Sequence, residues 1–157
     1  MKSATVHEIK QELLTKKPSE LIQLCQRLAK FKKENKELLT YLLFEAQDEQ
    51  GFVNSLKGEI EELFGTINTS HLYFAKKTLR KIVRLINKYC RYSDHKQSEV
   101  ELRLFFCLQL KNSGIPFQRN AVINNIYNTQ VRKTREILSA LHEDLQYDYK
   151  NDLALLE

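Results

Sequence analysis

The chain has 157 residues, enough for one domain with a sizeable core. Only 4 Gly and 2 Pro disfavour turn-rich β architecture. A net charge of +5 permits acidic partners without requiring them. Three cysteines, Cys25, Cys90 and Cys107, form no CxxC or Cys/His pattern, which excludes a disulfide framework or a zinc module. Each lies among apolar residues at helical spacing, so all three read as buried free thiols of a reducing compartment. The opening MKSATVHEIK lacks an apolar signal core, and the longest apolar run, Leu104 to Leu108, is too short to span a bilayer.

A first helix is expected from Val6 to Leu14, with Thr5 as N-cap and Glu8 completing a capping box. Lys17-Pro18 ends it and Ser19 caps a second helix, on which Leu21, Leu24, Cys25 and Leu28 keep the helical period. Lys32 to Lys36 reads as a polar turn, and Glu37 opens a third helix through Ala46. The hairpin 19–46 resembles, in length and pattern, one unit of a HEAT- or armadillo-type repeat; it carries no signature residues of either, and no family is assigned.

Phe52, Val53, Leu56, Ile60, Leu63 and Phe64 form a stripe that crosses Gly58, with a bend or break expected near Gly51. Gly65 to Thr69 is a stop and turn, with Thr69 or Ser70 as the next cap. Leu72 to Arg91 then holds seven basic residues and no acid. Its apolar side chains (Leu72, Ala75, Leu79, Ile82, Val83, Ile86, Cys90) share one arc, and Lys76, Lys77, Arg80, Lys81, Arg84, Lys88 and Arg91 share the opposite one. Residues 96–112 are apolar nearly all round at 104–108, which marks the helix Glu99–Leu110 as the centre of the core. Asn112 to Pro116 is the clearest stop, with Gly114 suited to a left-handed cap. From Gln118 a stripe through Ile123, Tyr127, Val131, Thr134, Leu138, Leu141 and Leu145 predicts one long helix or a helix pair divided at Asn128-Thr129. Tyr147 to Glu157 reads as a tail whose Leu153, Leu155 and Leu156 can dock back.

The expected fold is all-α: a single domain of six or seven helices, either an irregular bundle or a short right-handed αα-superhelix. Its expected parts are an N-terminal hairpin (1–50), central acidic, basic and buried helices (51–113), and a long C-terminal helix with tail (117–157).

Charge is segregated along the chain: residues 45–68 carry one basic and six acidic groups, and residues 69–91 carry seven and none. An antiparallel hairpin would set Asp48, Glu49, Glu59, Glu61 and Glu62 beside the basic helix and neutralise it. The four histidines have no metal-spaced partners, and nucleotide, zincin and hydrolase motifs are absent. No enzyme activity, metal or cofactor is expected. The first functional reading is a non-catalytic protein-interaction or structural module in the cytoplasm, with a protein or peptide as partner. The alternative is nucleic-acid binding through the face Lys76–Arg91, joined by Arg132 and Arg135 from the amide-rich segment 118–135, with Tyr89 and Tyr92 stacking on bases.

Overall fold

A computed structural model describes residues 2–156. Met1 and Glu157, which end the expected first and last segments, lie outside the described residues. The chain is all-helical: nine α-helices and no strand occur among the described residues. It divides into two compact units, Met1–Phe44 and Glu45–Glu157.

The N-terminal unit holds α1 (Val6–Leu14), α2 (Pro18–Phe31) and α3 (Lys33–Thr40). The Thr5/Glu8 capping box forms as expected, with the Glu8 carboxylate accepting from the Thr5 amide at 2.7 Å. That bond and a second, from the Thr5 hydroxyl at 2.8 Å, hold the Glu8 carboxyl below its usual range. Helix α2 begins one residue before the expected Ser19 cap. Pro18 takes the first helical position, where its missing N–H costs nothing, and Glu20 accepts from the Lys17 amide at 2.7 Å. The break between α2 and α3 is the single extended residue Lys32, shorter than the expected five-residue turn. The Asn35 side chain bridges it by donating to the Leu28 carbonyl at 2.9 Å. After α3 the chain widens into a π-turn at Tyr41–Glu45, so the third helix does not run regularly to Ala46.

The second unit packs α4 (Glu49–Gly65), α5 (Leu72–Ser93) and α7 (Ala121–Ser139) around α6 (Lys96–Asn112). This is the irregular bundle, and α6 is its centre: Val100, Leu102, Leu104, Phe106, Cys107 and Leu110 are buried on nearly every side. Phe52, Val53, Leu56 and Ile60 of α4, with Ala75, Leu79, Ile82, Ile86 and Cys90 of α5, supply the facing core. Gly51 does not bend α4; it occupies the first turn, where a Cβ would collide with the Asp48 carboxylate that caps the helix. The next expected cap moves as well: α5 starts after His71, because Asn68 already accepts from the Ser70 amide at 3.0 Å. Gly114 does take the left-handed conformation, at φ 72°.

A 3₁₀ turn at Phe117–Arg119 precedes α7, and Asn120 caps α7 by accepting from Val122 and Ile123. Asn128-Thr129 does not interrupt α7. The expected stripe holds through Leu138, after which the chain turns into α8 (Glu143–Asp148) and α9 (Lys150–Ala154) in place of a simple tail. Of the three tail leucines, Leu156 is buried and Leu155 is exposed. No helix among the described residues is long and apolar enough to cross a membrane.

Two of the three cysteines are buried; Cys25, on α2, is exposed, which corrects the expectation for that residue. Burial pushes both the Cys90 and the Cys107 thiol up to about 12. A native-state thiol reagent will therefore label Cys25 quickly and the other two only after unfolding. The folded state holds these two protons more tightly than the unfolded chain, so their contribution to stability is complete below about pH 9 and is lost as pH rises from about 9 toward 12. Denaturant melts across that window will show a shallower alkaline decline for Cys107→Ala than for the parent chain.

Candidate functional site

The basic arc of α5 folds as the sequence predicts. Its apolar side is buried, and Lys77, Arg80, Lys81, Arg84 and Arg91 are exposed on the other. Between α5 and α7 lies a cleft of about 630 Å³, lined by Tyr73, Lys76, Lys77, Arg80, Val83 and Arg84 on one wall and Asn125, Ile126, Thr129 and Gln130 on the other. Its lining contains no carboxylate.

The α5 wall follows from helix geometry. Positions 73, 76, 77, 80 and 84 fall within one arc of about 100° on the helix and so form a single stripe. Lys81 lies about 40° beyond the edge of that arc and does not line the cleft. Lys88 and Arg91 lie one and two turns past the cleft's last cation. Arg132 is also outside it, paired with Glu136 at 2.7 Å on the exposed side of α7. Arg135 lines a separate hollow with Leu138, Gln146 and Lys150. Of the nine candidate residues, the structure therefore gathers Lys76, Lys77, Arg80 and Arg84.

The acidic segment does not neutralise these four. Among the described residues, none of Lys76, Lys77, Arg80 and Arg84 has a carboxylate partner. Three of the five acids are engaged elsewhere: Asp48 caps α4, Glu49 accepts from Ser98 at 2.5 Å, and Glu61 accepts from Gln109 of α6 at 3.5 Å, while Glu59 and Glu62 are exposed.

The proposed stacking tyrosines are packing residues. Tyr92 is buried, and Tyr89 meets Phe52 and Tyr92 edge-on at 5.7 Å each. The available rings are Tyr73 and Phe74, 71% and 60% exposed, in T-shaped contact at 5.4 Å. A legible signal existed for Tyr73: it is an aromatic residue on the basic stripe of an otherwise segregated helix.

Beneath the cleft lies a polar network that the apolar reading of α6 missed. Arg103, only 3% exposed, donates to Glu99 at 2.6 Å, to Asn87 of α5 at 2.9 Å and to Gln130 of α7. Gln130 is 2% exposed and also forms part of the cleft wall, so the guanidinium fixes the orientation of a lining side chain. Glu99 and Arg103, at an i,i+4 spacing that suits an ion pair, were the sequence trace of this cluster.

A serine, a histidine and a carboxylate also meet, at Ser98, His95 and Glu49. The Ser98 hydroxyl donates to Glu49, and the His95 ring nitrogen sits 3.1 Å from the same oxygen. The acid thus holds the hydroxyl directly and does not orient the imidazole, unlike the order a nucleophilic triad needs. No group of three or more His, Cys, Asp or Glu side chains among the described residues can hold a metal ion. Comparison with known proteins finds no matching family model, no similar curated protein and no similar solved structure.

Removing one partner of a buried ion pair strands the other. Arg103→Ala will lower unfolding free energy by about 3–5 kcal/mol. Arg132→Ala, on an exposed pair, will change it by less than about 1 kcal/mol. Urea titration followed by far-UV circular dichroism measures both.

Proposed function

We propose that the chain is a non-catalytic protein-interaction module of the cytoplasm whose N-terminal unit receives the partner. One observation carries this reading: α1, α2 and α3 are amphipathic, yet none of their residues is buried. Val6, Ile9, Leu13, Leu24, Leu28, Phe31 and Leu38 all stand exposed. Apolar helix faces left uncovered in this way on a folded chain mark an interaction site.

The α2–α3 hairpin adds a shape. Cys25, Leu28, Ala29, Leu38, Leu39 and Leu42, with Asn35, line an open groove of about 200 Å³. An amphipathic helix entering such a groove would bury its own apolar residues at i, i+3 and i+4 against these leucines. The hairpin is held by local bonds, including Asn35 to the Leu28 carbonyl, so the groove need not be assembled at the moment of binding. Three free thiols accord with a reducing compartment.

Photo-crosslinking in the native cell tests this. A benzoylphenylalanine at Leu24 or Leu28 will give a discrete protein adduct, and the same group at Gln23 or Arg27, on the polar side of α2, will not. Lipid adducts, or equal yields from both sides, would sink the reading. Leu28→Lys, at a position 59% exposed, will abolish the adduct. Surface substitutions of this kind change stability by no more than about 0.5 kcal/mol.

A further inference from the structure

We propose that the α5–α7 cleft is a binding site for single-stranded nucleic acid, with Lys76, Lys77, Arg80 and Arg84 holding phosphates and Tyr73 stacking on a base. The inference rests on the second compact unit alone and is independent of the apolar groove.

Four cations without carboxylate partners among the described residues line one wall of a single concavity. Like charges brought this close repel one another, and an anion in the cleft relieves that repulsion. Lys76, Arg80 and Arg84 follow at four-residue intervals, about 6 Å of rise per step. Such a ladder suits a polymer with regularly spaced charges better than one isolated phosphoryl group. The second wall presents Asn125 and Thr129, whose carboxamide and hydroxyl can pair with base edges or sugar oxygens.

Tyr73 narrows the ligand further. It lines the cleft, is 71% exposed and contributes nothing to the core, and Phe74 supports it edge-on. A ring presented beside a phosphate track is the arrangement by which unpaired bases are held without strong sequence preference. An open trough of about 630 Å³ can take bases of a strand whose backbone runs on along the basic stripe. Its concavity also suits a strand better than the flat surface of an anionic bilayer. The buried Arg103–Gln130 bond sets part of the wall before any ligand arrives.

The test is fluorescence anisotropy of the full chain with a labelled mixed-sequence 12-nucleotide single strand. Binding should weaken with salt at a slope of about −3 in log K against log salt, the value for four phosphate contacts. Arg80→Gln should reduce that slope by about 0.7. Tyr73→Ala should weaken binding about tenfold at one salt concentration. Arg132→Gln, a matched charge loss outside the cleft, should leave the slope unchanged. Should Arg80→Gln lose its helical spectrum, Lys77→Gln reads the same change in slope. Absence of binding at low salt overturns the proposal. So does equal binding of the matching duplex, an equal effect from Arg132→Gln, or binding to phosphatidylserine vesicles but not to the oligonucleotide.

Discussion

A single buried guanidinium organises the second unit. Desolvating Arg103 is costly, and the cost is offset only because α5, α6 and α7 each bring an acceptor to it: Asn87, Glu99 and Gln130. Apolar packing around Phe106 would tolerate several relative placements of these helices, since burial carries no direction. The hydrogen bonds do carry direction, so they select one placement. Because Gln130 faces both the guanidinium and the cleft, the constraint that specifies the core also shapes the site above it.

The electrostatics follow from where the acids go. Segregation of charge along a chain need not survive folding, because consecutive helices can lie side by side and cancel. Here Asp48 turns to the α4 N-terminus, and Glu49 and Glu61 turn toward α6. Lys57, its one cation, crosses to Glu101 of α6 at 2.9 Å. The cations lining the cleft keep the excess that their sequence shows. The N-terminal unit leaves apolar side chains uncovered, and the second unit leaves the cations of its cleft uncovered.

Periodicity made the long elements legible. The segregated arcs of α5 and the all-round apolarity of α6 each follow from burial on one side or on every side. Helix starts were less legible, since they turn on local competition: Pro18 claims the first position before Ser19 can cap, and Asn68 engages Ser70 before it can serve α5. Cys25 misled because it sits on an amphipathic stripe that only the short α3 meets, so the groove between them stays open. Half of the candidate site was visible as the basic stripe. The other half required knowing that α7 faces α5 with Asn125 and Gln130 inward and Arg132 outward. Arg103 escaped because it follows Glu99 and Glu101 and directly precedes the apolar run 104–108, where a charge reads as part of the polar edge of the helix.

The C-terminal helices are tied down in an unusual currency. Tyr127 donates to the Leu156 carbonyl at 2.7 Å and Lys111 to the Leu155 carbonyl at 2.6 Å, so backbone atoms are what these two side chains recognise. Such recognition is blind to the identity of residue 155 but not to its distance from Tyr149, whose hydroxyl is anchored on Glu101 at 3.2 Å. At position 155 composition can drift while spacing stays under constraint, the reverse of what holds along α6.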